Sequence, residues 1–480
     1  MEISIVIYII GLALMIEGAL MIVPGVCALI YGESLMPYIL TAAICLIIGV
    51  IFTRRRPESG FLFSREGYVA TGLTWIALAF TGMLPFLFSG STTSVADAVF
   101  ETVSGYTTTG SSIFTAVEDL PKGILMWRSF MHWIGGMGIL VFMLAIVPFS
   151  GGTQMNIMKA ESPGPSISKI VPRAQDSAKI LYQIYTAMTI VMMVTLIVLR
   201  MPVFDAICIT FGAAGTGGFS VLNTGCATYT IAQQIVITVG MIAFGVNFSF
   251  YYFLLIKKLK LAFSMEEVRA YILIILASIG LITVDLVVKG IYQSGPIALK
   301  DAAFHVGSII TTTGYATTDC NTWPALSQGI LIVLMFIGAC AGSTGGGIKV
   351  SRVLMMLKAY KRELAVALHP NIVKKVHMDG KAADEIVLRN TGVYIFIYFV
   401  IFTVSVLIVS LDGFDWLTTF TSVAATYNNI GPGFGVVGTM GNFSSLSDLS
   451  KWVLSLDMLI GRLEIFPIML LFVKNTWRKF

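Results

Sequence analysis

The tetrapeptide Thr-Thr-Thr-Gly occurs twice, in YTTTGSSI (Tyr106–Ile113) and in ITTTGYAT (Ile310–Thr317). Small hydroxyl residues beside glycine offer neither a nucleophile with its base nor a metal-ligand set, but they suit one kind of chemistry. A run of this composition can turn its carbonyl oxygens to one side, and a ring of such oxygens replaces the hydration shell of a monovalent cation. Glycine supplies the φ angles the turn needs, and short threonine side chains let several runs approach closely. Two further segments fit the template, DAICITFGAAGTGGFS (Asp205–Ser220) and DWLTTFTSVAATYNNIGPGFG (Asp415–Gly435). Gly110, Gly218 and Gly314 each stand thirteen residues after an aspartate (Asp97, Asp205, Asp301), and Gly431 stands three residues further from Asp415. One such run reads as a close helix contact. Four of them, each after a short amphipathic stretch, read as the lining of one ion path.

Such a lining needs elements that hold it at membrane depth, and the composition provides them. Hydrophobic residues make up 56% of the 480 and charged residues 12%, with a mean hydropathy of +0.86. These values exclude an ordinary soluble surface. Met1–Ile30 shows no short apolar core with a small-residue cleavage site, so no removable signal is expected. The net charge of +5 does not point to nucleic acid, because Lys and Arg gather in particular loops: Arg54–Arg65, Lys159–Lys179, Lys257–Lys260, Lys349–Arg389 and Lys474–Lys479. The positive-inside rule places these in the cytoplasm. Between them lie ten predicted spans near 4–30, 36–53, 69–90, 123–148, 179–200, 231–256, 270–290, 327–348, 391–411 and 451–473, with both termini inside.

The expected fold is an all-α polytopic membrane protein. An N-terminal helix pair (1–66) precedes four pseudo-symmetric repeats around a central pore, at 67–176, 177–266, 267–382 and 383–480. Each repeat runs helix, half-helix, loop, helix. Half-helices dipping from outside, with the four aspartates near their caps, direct their carbonyl ends at the membrane centre, where the dipole favours a cation. Among the six cysteines, Cys226 and Cys320 are the pair placed to meet as a disulfide.

The segments TTTGSS, GTGGFS, TTTGYA and NNIGPG, with SFMHWIGGMGILV (Ser129–Val141), AGSTGGGIKVSR (Ala341–Arg352) and GRLEI (Gly461–Ile465), resemble the TrkH-type membrane subunit of bacterial Trk potassium uptake systems, within the Trk/Ktr/HKT superfamily. The likeness runs through essentially the whole chain, and the two helices before the first repeat favour this branch over the shorter KtrB one. The resemblance implies uptake of potassium and rubidium across the bacterial inner membrane, a homodimer, and a cytoplasmic nucleotide-binding ring of the TrkA type. It maps the filter carbonyls onto Thr108, Thr109 and Gly110; Thr216, Gly217 and Gly218; Thr312, Thr313 and Gly314; and Asn429, Ile430 and Gly431. K+ would bind there and at no other metal site, with no covalent cofactor. The second and fourth segments lack the full triplet, which predicts looser discrimination than four identical strands would give.

Two features look like a gate. Gly342, Ser343, Thr344, Gly345, Gly346 and Gly347 interrupt the second span of the third repeat and cannot hold a regular helix. The family places an intramembrane gating loop there. Lys349, at its end, reads either as a gating charge or as a cytoplasmic-side anchor. Arg462, mid-span, costs at least ~2.5–3.5 kcal/mol on insertion scales, so it should face a water-filled path or a carboxylate, with Asp457 and Glu464 nearest in sequence. A positive charge under a cation filter raises the barrier to flow.

Other signals weigh less. Gly433–Gly438 matches GxGxxG but follows no strand, and the loop at Gly342–Lys349 lacks a phosphate-loop ending. His132, His305, His369 and His377 have no metal-ligand spacing. Glu17 reads either as a proton or ion site or as a residue packed against a polar neighbour. The helical VLMMLKAYKREL within the basic stretch Lys349–Lys381 is the expected docking surface for the cytoplasmic regulator. No constellation for an enzyme is visible. A sodium- or proton-coupled symporter is the competing reading, and the span carboxylates available to it are Glu17, Asp285, Asp457 and Glu464.

Overall fold

A computed structural model describes residues 3–54, 63–138 and 174–478. The predicted span 123–148 beyond Gly138, and parts of the basic segments 54–65, 159–179 and 474–479, lie outside these residues. Six helices are long and apolar enough to cross a membrane: Ile3–Ile30, Met36–Thr53, Ser64–Phe88, Asp176–Val198, Glu266–Val288 and Glu385–Asp412. A bent pair, Ile231–Phe244 with Phe248–Leu255, makes a seventh. Val198, Val288 and Leu407 are exposed on these helices, as lipid-facing residues are. The chain is a multi-pass, all-helical membrane protein; among the described residues the strands are a two-residue hairpin, His377–Met378 with Lys381–Ala382.

Four short helices follow four of the long ones: Val95–Tyr106, Val203–Gly215, Gly295–Ile310 and Trp416–Tyr427. None can span a bilayer. Their caps differ from expectation in one place. Ser94 accepts the Asp97 N–H and Asp415 accepts the Thr418 N–H, each capping its helix, but Asp301 lies well inside the third short helix. Pro296 starts that helix a turn earlier, and Asp301 instead pairs with Lys300 at 2.9 Å and accepts the Thr317 hydroxyl at 2.9 Å.

The return helices carry the main surprise. A break was expected in the third repeat alone, yet within the described residues three of the four return helices break, and the described part of the first ends at a comparable place. Lys122–Met137 ends at Gly138 with φ +84. Ile231–Phe244 turns by 92° into Phe248–Leu255. Ala325–Ile337 gives way to the loop and resumes at Val350–Leu368, and Asp448–Arg462 breaks before Phe466–Phe472 with Glu464 and Ile465 at positive φ. Contact with the short-helix ends explains why small residues sit just before two of these helix ends. A methyl group on Gly135 would lie 1.9 Å from the Tyr106 carbonyl oxygen, and one on Gly461 would lie 2.0 Å from that of Tyr427.

In the third repeat the helix resumes on its own stub. The N–H groups of Ile348, Lys349 and Val350 donate to the carbonyls of Phe336, Ile337 and Ala339 at 3.1, 2.9 and 3.1 Å. The residues between are a lateral excursion from an otherwise stacked pair of helices.

The predicted disulfide is absent: Cys226 and Cys320 are both free and buried. The Cys226 N–H is engaged by the Ala316 carbonyl at 2.8 Å, whereas the Cys320 N–H faces Thr439 of the fourth repeat at 3.2 Å. Burial keeps each thiol as a small apolar filler.

Candidate ion-coordinating site

Past the end of each short helix the backbone makes one and the same turn. Thr108, Thr216, Thr312 and Asn429 take left-handed φ values of 55, 57, 61 and 55°. Two residues on, Gly110, Gly218, Gly314 and Gly431 have φ of 84, 75, 83 and 104°. The residue between, Thr109, Gly217, Thr313 or Ile430, returns its N–H to a helix carbonyl (Ser104, Gly212, Ser308, Ala425) at 2.8 Å in all four cases. This closure satisfies a helix end that would otherwise leave bare carbonyls.

The three extra residues between Asp415 and Gly431 now have an explanation. Counted from the N-cap residues Ser94, Pro202 and Asp415, the glycine stands at the same distance in repeats one, two and four. The apparent insertion arises because Asp415 is itself the cap, whereas Asp97 and Asp205 are third residues of their helices.

The four turns close a ring. A methyl group on Gly110 would sit 2.0 Å from the Gly217 carbonyl oxygen, one on Gly218 would sit 1.9 Å from that of Thr313, and one on Gly314 would sit 2.0 Å from that of Ile430. Gly431 completes the circuit against the Thr109 oxygen, more loosely at 2.8 Å. A cavity opens on all four glycines at once.

The threonine triplets are held by their own hydroxyls. Thr107 bonds Thr109 at 2.8 Å and the Val103 carbonyl at 2.6 Å; Thr311 repeats this with Thr313 at 2.7 Å and Gly307 at 2.7 Å. First and third threonines thus brace the run while the middle one takes the strained φ. In the fourth segment an amide substitutes: Asn429 Nδ2 donates to Thr109 Oγ1 and to the Met458 carbonyl, both at 2.9 Å.

Beneath the ring lies the interrupting loop. The Gly346 N–H donates to Thr312 Oγ1 at 2.6 Å, and a methyl group on Gly346 would meet the Asn428 carbonyl oxygen at 2.3 Å. The loop therefore abuts the third and fourth turns directly. Lys349 is buried and its ammonium donates to the Gly345 carbonyl, so it is folded into the loop. Arg462 is buried at the last turn of its helix. Its guanidinium donates to the carbonyls of Thr344 (2.7 Å), Gly136 (2.6 Å) and Gly135, joining the return helices of repeats one, three and four. The two carboxylates nearest in sequence are engaged elsewhere: Glu464 with Arg352 at 2.6 Å, and Asp457 with the Ser405 hydroxyl at 2.8 Å.

Behind the ring, Glu17 accepts hydrogen bonds from Tyr106 Oη at 2.6 Å, Cys45 Sγ at 3.7 Å and the Thr81 hydroxyl. Of the two readings of this residue, the geometry is that of a packed acceptor, tying the N-terminal helices to the last residue before the first turn. A buried pair that sequence reasoning missed braces the same turn from its far side. Arg128 Nε donates to Glu101 Oε1 at 2.7 Å, Glu101 Oε2 accepts the Ile113 N–H at 3.0 Å, and Arg128 lies over the Phe219 ring at 4.1 Å. A charge of each sign inside apolar elements was the available signal.

Comparison with known proteins agrees with this architecture. The TrkH family model, described as a cation transport protein, matches residues 36–479. The Trk system potassium uptake protein TrkH of Salmonella typhimurium is 37% identical over 477 residues, 98% of each chain. Its counterpart in Escherichia coli strain K12 is 36% identical over the same share. The crystal structure of the potassium transporter TrkH from Vibrio parahaemolyticus matches with a TM-score of 0.89 at 33% identity, covering 100% of both chains. The chain belongs to the TrkH family of cation transport proteins.

Proposed function

We propose that this chain carries potassium, and rubidium in its place, into the bacterial cytoplasm through the ring of turns. The observation that carries the reading is the closed circuit of glycine-to-carbonyl contacts around one axis, because four backbone segments meeting in this way offer stacked oxygens to a dehydrated ion. The coordinating residues are Thr108–Gly110, Thr216–Gly218, Thr312–Gly314 and Asn429–Gly431. Gly342–Gly347, Lys349 and Arg462 form the barrier below, with Arg462 bonding the loop at the Thr344 carbonyl and the first return helix at Gly135 and Gly136. The basic loops face the cytoplasm of an inner-membrane protein, the inside-negative potential draws the cation inward at ~2.3 kcal/mol per 100 mV, and the chain works as a homodimer on a cytoplasmic nucleotide-binding ring.

Conduction without a coupling ion fits the carboxylates. Glu17 is taken up by three donors, Glu464 by Arg352, and Asp285 by Ser327, whose hydroxyl lies at 2.6 Å. Asp457 is the exception among these four, since its Oδ2 has no hydrogen-bond partner among the described residues, and it is the residue a symport mechanism would use. Rubidium uptake into proteoliposomes holding this chain alone, under an imposed inside-negative potential, separates the two. Uptake that proceeds without sodium or proton gradients supports the uncoupled path; uptake that requires either gradient and fails in Asp457→Asn establishes coupling; no selective uptake at all refutes both.

A further inference from the structure

The loop beneath the ring is held from a side that Arg462 does not touch. Glu267, in the first turn of Glu266–Val288, is 6% exposed. Its Oε1 accepts the backbone N–H of Ala341 at 2.6 Å and of Ser351 at 3.1 Å. Ala341 lies where the chain leaves the first stub and Ser351 where the helix has resumed, so one carboxylate oxygen staples both ends of the excursion. The near end is also paired with the bend of the second return helix: the Cys340 N–H donates to the Gly245 carbonyl at 3.1 Å, and the Phe248 N–H donates to that of Gly342 at 3.0 Å. The staple is itself anchored. The neighbouring Glu266 gives its N–H to Asp379 of the cytoplasmic hairpin at 2.7 Å and pairs with Lys358, which also donates to the His377 carbonyl at 2.7 Å.

We propose that Glu267 is the positioning residue that latches the loop under the ring. Two backbone donors with no other acceptor in this arrangement converge on one buried side-chain oxygen, and removing it would leave both unsatisfied. Arg462 fixes the tip of the loop; Glu267 fixes its base. The proposal deepens the barrier reading of the loop and rests on it for its effect on flux, though not for its effect on loop position.

The test uses the full chain carrying Ser343→Cys, whose six native cysteines are buried, and follows two quantities: the labelling rate by a membrane-impermeant maleimide in detergent, and rubidium flux in proteoliposomes. Glu267→Ala should raise both by about tenfold. Glu267→Gln, which keeps the shape and one acceptor oxygen, should raise both by about threefold and serves if the alanine variant does not fold. A rise in labelling with unchanged flux leaves the latch standing and removes the barrier role of the loop. Unchanged labelling in the folded variants, even with a lowered melting temperature, overturns the latch.

Discussion

The ring and the layer directly under it are built on opposite plans. In the ring, four segments of three different sequences (TTTG twice, GTGG and NNIG) adopt one backbone turn, with the same φ signs and the same closing hydrogen bond. Beneath it the return helices are interrupted at comparable places but each in its own way: one bends, another makes a lateral excursion, and a single arginine ties three of them together. With the ring proposed as the ion path and the loop with Arg462 as the barrier, the difference teaches where each task would live. An ion on an axis sees the backbone from all sides, so equal turns serve it and side chains are free to vary. A barrier needs only one obstacle, and an obstacle that moves must be attached asymmetrically. Side-chain identity therefore enters above as bracing for the turn, through the threonine hydroxyls and the Asn429 amide, and counts for nearly everything below.

The largest effect should come from breaking the ring. Gly218→Ala puts a methyl group 1.9 Å from the Thr313 oxygen at a φ of +75°, a clash added to a left-handed penalty of roughly 1–2 kcal/mol. Rubidium uptake should vanish. Gly431→Ala has 2.8 Å at the same point, so uptake should fall but persist, with weaker discrimination against sodium. Equal loss in both variants would mean that the ring is not the graded, closed structure these distances describe.

Next in size is the barrier. Arg462→Ala removes three carbonyl contacts and the positive charge together, and rubidium flux should rise several-fold in protein of normal yield. Arg462→Lys keeps the charge but cannot span Thr344 and Gly136 with one planar group, so its flux should fall between wild type and alanine. A flux at or below wild type in Arg462→Ala would assign the arginine to structure alone.

Much of this was legible in the chain, for identifiable reasons. Apolar length and basic loops reveal spans because the bilayer leaves few alternatives, and glycine at Gly110, Gly218, Gly314 and Gly431 marks turns that no other residue makes cheaply. The interruption at Gly342–Gly347 was visible for the same reason. The breaks after Phe244 and Arg462 were not, because they rest on single residues, Asn247 capping one half-helix and Glu464 and Ile465 strained in the other, inside sequence that reads as continuous. Glu267 was missed because its partners are backbone groups 74 and 84 residues away, which sequence does not mark, whereas the Glu101–Arg128 pair left a signal, a charge of each sign inside apolar elements, that went unread.

A smaller effect distinguishes the first segment from the fourth. Tyr106 and Tyr427 are the last residues of their short helices, and both rings are buried. Tyr106 Oη donates to Glu17 at 2.6 Å, while Tyr427 Oη has no hydrogen-bond partner among the described residues. Tyr106→Phe should therefore cost about 1–3 kcal/mol by leaving a buried carboxyl oxygen short of a donor, and Tyr427→Phe should be close to neutral. Thermal unfolding of both variants in one detergent checks this, and equal losses would mean that the N-terminal helices do not brace the ring through Glu17.

The smallest effect separates two caps that do the same job with different chemistry. Ser94 and Asp415 each accept an N–H at the start of a short helix, at 3.3 and 3.1 Å, so replacing either by alanine should cost ~1 kcal/mol at neutral pH. Only one of them titrates. The Thr418 hydroxyl, and then its backbone N–H, hold the Asp415 carboxyl below its usual value of 3.8. A depressed carboxyl stabilises the fold above its unfolded pKa, and that contribution drains away as pH falls through the folded value. The gap between wild type and Asp415→Ala should hence narrow below about pH 4, while that for Ser94→Ala stays constant. Because the Asp415 cap also holds Thr418, whose Oγ1 accepts the Val436 N–H at 3.2 Å beyond the fourth turn, acid should loosen the fourth segment before the first, the same side on which the Gly431 contact is already the slackest.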